Sequence, residues 1–132
     1  MQYRNSNLFF RAFAILAFIG VADYINNKFY YYWTVSGLDK PMHLLGGACV
    51  GMGTIWLVSC LYSEIENSQK KVIIIGVLGT LLIGILWEIF ELHFGITTLS
   101  DGWLYYKDTM GDLSMDLLGG LLASLYSWKL IK

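Results

Sequence analysis

Long apolar stretches separated by short polar segments make up most of the sequence. Residues 42–62 and 72–94 are each predominantly apolar over about 20 residues, the length that a helix needs to cross the hydrocarbon core of a bilayer. Residues 8–27 and 111–131 are similar in length, but charged side chains interrupt them. The pattern predicts four transmembrane helices at about these positions. The alternative is two spans at 42–62 and 72–94 with two helices on the membrane surface.

Composition strengthens the membrane interpretation. Of the 132 residues, 56% are hydrophobic and 14% are charged, whereas a soluble domain carries about 25% charged residues. The length predicts a single transmembrane domain over residues 1–132. A formal net charge of −1 excludes a strongly basic nucleic-acid-binding protein. We therefore expect an all-α, polytopic membrane protein, a four-transmembrane-helix bundle surrounded by lipid.

Lysine and arginine positions predict the orientation of these spans. With four spans, one side of the membrane carries Arg4, Arg11, Lys70, Lys71, Lys129 and Lys132. The other side carries Lys28, Lys40 and Lys107. Because positive residues accumulate on the cytoplasmic side, both termini are predicted to lie in the cytoplasm, in a multi-pass protein of the cytoplasmic (inner) membrane. The aromatic runs at 29–33 and 103–106 then lie at the outer interface, where amphipathic rings settle.

Two hexapeptides differ at a single position. MHLLGG contains His43, MDLLGG contains Asp116 at the equivalent place, and an aspartate (Asp39 or Asp112) precedes each hexapeptide by three residues. Both copies lie on helices predicted to run from outside to inside, which suggests two repeated helical hairpins. Asp39 and Asp112 can be interpreted as helix N-caps. His43 and Asp116 cannot, because each lies one turn deeper.

Ionisable residues of all four predicted helices fall toward the outer leaflet: Asp23, Asp39, His43, Glu88, Glu91, Asp108, Asp112 and Asp116. A lone carboxylate at mid-bilayer costs about 2.5–3.5 kcal/mol on insertion scales, and neighbouring carboxylates repel one another. Such groups must share protons, pair with a cation or bind a metal. We interpret Lys40 and Lys107 as interfacial residues, too superficial to neutralise the cluster.

One imidazole among several carboxylates is a ligand set that favours Mg²⁺, Mn²⁺, Fe²⁺ or Zn²⁺ over copper. The candidate metal ligands are His43, Glu88, Glu91, Asp112 and Asp116. The candidate catalytic residues are His43, Glu88 and Asp116, with Asp39 and Asp108 as supporting residues. A metal at headgroup depth suits a lipid or lipid-linked phosphate, and the predicted activity is that of a metal-dependent hydrolase or phosphotransferase.

Other functions fit the same residues. Intramembrane acids also serve cation- or proton-coupled transport, and the small size suits a structural subunit of a membrane assembly. A homo-oligomer or a membrane-protein partner is compatible with either function. A hydrogen-bonded cluster of protonated acids without a metal is a further alternative.

The motifs D-K-x-x-H-x-x-G-G, W-E-x-x-E and D-T-x-x-D-x-x-x-D-x-x-G-G, in this order, resemble those of small integral-membrane proteins grouped around YjdF. The matching residues are Asp39, Lys40, His43, Gly46, Gly47, Trp87, Glu88, Glu91, Asp108, Thr109, Asp112, Asp116, Gly119 and Gly120. A more distant similarity links the first and last motifs to the VanZ-like family, which is associated with glycopeptide resistance. The resemblance implies a membrane protein with a polar outer site.

Overall fold

The computed structural model describes residues 2–62, 65 and 67–132, with side chains from Ser6 onward. The described residues contain no β-strand, and a 3-10 helix at Leu99–Asp101 precedes the last helix. The α-helices are α1 (Gln2–Lys28), α2 (Tyr31–Thr34), α3 (Asp39–Leu61), α4 (Gln69–Phe94) and α5 (Trp103–Ile131). The predicted all-α class is confirmed. The side chain of Arg4 and the loop residues 63, 64 and 66, which bear on the orientation prediction, lie outside the described part.

Three helices are long and apolar enough to cross a membrane: Ser6–Lys28, Asp39–Leu61 and Gln69–Phe94. They correspond to the first three predicted spans. The fourth predicted span lies within α5, which has 29 residues but does not belong to this apolar set. Aspartate, serine and glycine residues lower its apolar character.

Helices α3 and α5 run parallel and touch along their backbones. A Cβ added to Gly47 would meet the backbone of Asp116, with the Cα and carbonyl carbon of Asp116 at 2.7 Å. A Cβ on Gly119 would meet the backbone carbonyl of Leu44 in the same way. The two hexapeptides therefore pack against each other, each using a glycine to admit the partner helix, as small residues do between membrane helices.

Helix α4 lies antiparallel to this pair and closes the bundle. Its Thr80 hydroxyl donates to the carbonyl of Gly47 at 3.2 Å and to the carbonyl of Gly76, one turn earlier on α4, at 2.9 Å. Gly84 lies against Asp116, where an added Cβ would be 2.8 Å from Oδ2. One stripe of small residues on α4 thus faces α3 and α5, and the same stripe continues to Glu88.

Helix α1 packs on the outside of α3. The thiol of Cys49 donates to the carbonyl of Ala12 at 3.3 Å. Buried Leu8 joins Ile55, Val72 and Ile131 in an apolar cluster at the end of the bundle away from the ionisable residues. Most of the large side chains of α1 remain exposed, as expected of a peripheral helix in lipid.

The N-cap interpretation of the two aspartates is wrong. Helix α5 begins at Trp103, so Asp112 lies well inside the helix, where no free N-terminal amides need a cap. Asp39 is the first residue of α3, and the capping position is Leu38, without a side-chain cap. Both aspartates are therefore available to interact with other side chains.

Candidate functional site

The ionisable residues predicted on α3, α4 and α5 meet at one end of the bundle. This end contains the start of α3, the last turns of α4 and the first half of α5. The parallel pairing of α3 with α5 and the antiparallel course of α4 bring these three segments together.

Three side chains form the centre of the site, which we call the inner group: His43, Glu88 and Asp112. One ligand atom of each lies within 4.8 Å of the others. Glu88 is 6% exposed and Asp112 is 2% exposed, while His43 is partly buried. Each residue comes from a different helix, so the group depends on the packing of α3, α4 and α5.

Glu88 has one satisfied and one unsatisfied carboxylate oxygen. The hydroxyl of Thr109 donates to Oε2 at 2.8 Å. The other oxygen, Oε1, is buried and has no hydrogen-bond partner among the described residues. A buried acceptor without a donor is costly. This oxygen therefore has capacity for a ligand.

The His43 ring lies between two aspartates. Nδ1 is 3.3 Å from Oδ2 of Asp116, and Nε2 is 3.6 Å from Oδ1 of Asp112. With its proton on Nδ1, the ring donates to Asp116 and leaves the Nε2 lone pair facing the inner group. Metal-binding histidines commonly use this arrangement, in which a carboxylate holds the ring nitrogen that does not bind the metal.

Lys40 is the partner of a second set of carboxylates, which we call the outer group: Asp39, Asp108 and Asp112. Its Nζ lies 3.1 Å from Asp39, 2.6 Å from Asp108 and 2.7 Å from Asp112. The interpretation of Lys40 as merely interfacial is wrong, because its ammonium neutralises part of the cluster. Asp112 belongs to both groups and connects them.

Glu91 lies outside both groups. Its Oε1 accepts a hydrogen bond from the indole of Trp87 at 2.9 Å, one turn earlier on α4. The structure thus brings His43, Glu88 and Asp112 together, places Asp116 behind the imidazole, and leaves Glu91 at the margin.

Three residues of the site were not predicted from the sequence to take part in it: Lys40, Thr109 and Trp87. All three stand beside predicted acids in the motifs D-K-x-x-H, D-T-x-x-D and W-E-x-x-E. Their place in these motifs was the available signal, but it did not indicate which acid each residue contacts.

A smaller polar cluster joins α1 to α2 at the same end. The hydroxyl of Tyr32 donates to Asp23 at 2.9 Å, and the Asn27 amide donates to the same carboxylate oxygen at 3.1 Å. Burial, together with the nearby charge of Asp23, raises the pKa of Tyr32 above its usual value, so the hydroxyl remains a donor. This cluster explains the position of Asp23 without a metal.

The fold and the site define a class: a helical membrane protein with an imidazole–carboxylate cluster at one end. The chain belongs to a family described as predicted membrane protein (DUF2238), whose model matches residues 4–132. This description agrees with the three apolar helices. No curated protein and no solved structure matches the chain significantly.

Proposed function

We propose that the chain crosses the membrane four times, with α5 as the fourth span and both termini in the cytoplasm. The residues that α5 buries are mainly polar or small: Asp112, Asp116, Gly119, Gly120, Ala123, Ser124, Ser127 and Ile131. The leucines that it exposes after Asp116 are Leu118, Leu121, Leu122 and Leu125. A helix that hides its polar stripe against α3 and α4 needs less overall apolarity to lie in lipid. The excess of lysine and arginine on the side of the termini supports the orientation and an inner-membrane location.

The function that the geometry supports best is binding of a divalent cation by the inner group. The unpartnered, buried Oε1 of Glu88 is the observation that carries this proposal. It belongs to a side chain that has a ligand atom within 4.8 Å of ligand atoms of His43 and Asp112. A bound cation would satisfy this oxygen and offset the repulsion between Glu88 and Asp112.

The donor set favours Mg²⁺, Mn²⁺, Fe²⁺ or Zn²⁺, since it combines one imidazole with carboxylate oxygens. In this proposal His43 binds through Nε2, and Asp116 orients the ring from the other side instead of joining the ligands. Thr109 holds the second oxygen of Glu88 and so directs the first toward the cation. Asp39 and Asp108 support the site through Lys40.

The proposed chemistry is hydrolysis or transfer of a lipid or lipid-linked phosphate. In this proposal the site, which lies at one end of the bundle, is at the depth of lipid headgroups. A divalent ion there would polarise a phosphoryl oxygen or lower the pKa of a bound water. Without such an ion, the acidic groups of the site would repel a phosphate.

The resemblance to YjdF-like proteins is compatible with membership of the predicted membrane protein family (DUF2238). The similarity to VanZ-like proteins stays a prediction.

Metal content of the purified full chain tests the proposal. After incubation with Mn²⁺ and removal of free ion, elemental analysis is expected to give one ion per wild-type chain. Glu88→Gln is expected to lose it, because a neutral amide replaces the unpartnered carboxylate. Glu91→Gln is the matched control on the same helix and is expected to retain it.

A wild type without stoichiometric metal would contradict the proposal. If Glu88→Gln then also lost thermal stability, the cluster would be structural. The chemistry is tested separately, by release of inorganic phosphate from phosphatidic acid in Mn²⁺-containing micelles.

A further inference from the structure

The outer group already contains a bound cationic group, the ammonium of Lys40. Its three contacts with Asp39, Asp108 and Asp112 span 2.6–3.1 Å, the range of charge-assisted hydrogen bonds. Lysine ammonium has three donors, so three carboxylate acceptors use its full capacity.

The outer group also has the size of a divalent-cation site. One oxygen from each of its three carboxylates lies within 4.8 Å of the others. Oxygens on opposite sides of Ca²⁺ are about 5 Å apart, twice a bond length within its range of 2.3–2.6 Å. An ammonium and a divalent ion are therefore alternative occupants of the same space.

The path of the Lys40 side chain crosses α5 at Gly111. A Cβ at this position would lie 3.1 Å from Cε and 3.4 Å from Nζ of Lys40. The absence of a side chain at Gly111 thus lets the lysine reach Asp112, which is 2% exposed. The lysine side chain itself is only 28% exposed and is held by its partners rather than extended into solvent.

We propose that Lys40 is a tethered second cation that restricts the protein to one divalent ion. Because Asp112 belongs to both groups, two metal ions would otherwise share this carboxylate, as in two-metal sites with ions about 3.5–4 Å apart. The ammonium fills the outer position at a high effective concentration, since it is attached to α3. Lys40 is therefore a specificity-determining residue for the number of bound ions.

This inference rests on the proposed function for the inner ion, but the outer position is tested independently. The probe is Mn²⁺, and the measurement is the number of ions per full-length chain in micelles. We expect one ion in the wild type and two in Lys40→Met. Lys40→Gln is also expected to bind two, and its amide preserves hydrogen bonds to the carboxylates if the methionine variant does not fold.

Two controls separate site occupancy from a general change in charge. Lys107 lies at the same end of α5 and makes no ion pair with the described residues. The Lys107→Met variant is therefore expected to keep one ion. Adding Asp108→Asn to Lys40→Gln removes an outer ligand without touching Asp112 and is expected to return the count to one.

The possible results are distinct. Equal counts in the wild type and in the folded Lys40 variants would overturn the inference, as would a second ion that survives Asp108→Asn. A wild type without metal, together with one Asp108-dependent ion in Lys40→Gln, would refute the proposed function and support the role of Lys40.

Discussion

Gly47→Ala perturbs the closest backbone contact between α3 and α5. The added methyl group would lie 2.7 Å from the Cα and carbonyl carbon of Asp116, and closer still to the carbonyl oxygen. Ordinary Cβ contacts begin at 3.4 Å. Because the obstacle is backbone and not a flexible side chain, the two helices must separate by roughly 1 Å, a scale set by the close packing of protein interiors.

The expected cost is about 1–3 kcal/mol, the usual range for overpacking a well-packed core. Alanine also favours the helix over glycine by up to about 1 kcal/mol, which partly masks this cost. Gly53→Ala measures that gain on the same helix, because an added Cβ at Gly53 meets nothing within 4 Å. The informative quantity is the difference between the two variants.

The assay is reversible unfolding in mixed micelles with increasing SDS, followed by far-UV circular dichroism. We expect Gly47→Ala to unfold at lower SDS than the wild type, and Gly53→Ala at the same or higher SDS. Separation at Asp116 would also lengthen its 3.3 Å contact with His43 and weaken metal binding. Equal unfolding of the two variants, within about 0.5 kcal/mol, would refute the close packing derived from the hexapeptides.

Further predictions concern the residues that support the site. Asp116→Asn is expected to weaken Mn²⁺ affinity about 10–100-fold without abolishing binding, because it alters the group that orients His43. Titration by calorimetry measures this affinity. A complete loss of Mn²⁺ binding would make Asp116 a ligand. Thr80→Ala is expected to cost about 0.6 kcal/mol through loss of its interhelical bond to Gly47. Thr80→Ser keeps the hydroxyl and should restore most of that loss in SDS unfolding, whereas an equally unstable serine variant would assign the effect to the methyl group.

The sequence was sufficient to predict the main helices, because an apolar run long enough to span a bilayer has few other stable conformations. It also predicted that acids from α3, α4 and α5 would gather at one end. Consecutive spans alternate in direction, so the start of one helix and the end of the next lie at the same depth. The three apolar helices, Ser6–Lys28, Asp39–Leu61 and Gln69–Phe94, overlap the first three predicted spans.

Local pattern was less informative for α5. Its burial beside α3 depends on contacts between helices. These contacts explain why a helix with several aspartates can occupy the centre of the bundle. The N-cap interpretation of Asp112 is wrong because α5 begins at Trp103, before the apolar part of its sequence.

The two hexapeptides show most clearly what the sequence and the tertiary structure each determine. The sequence by itself determined that an imidazole and a carboxylate occupy equivalent places above paired glycines. Only the tertiary structure decided that Asp116 faces one nitrogen of His43 and Asp112 the other, and that Lys40 reaches Asp108 and Asp112. These partners are about 70 residues apart along the chain. Their distances are set by how closely glycine lets α3 and α5 approach, which no local sequence pattern specifies.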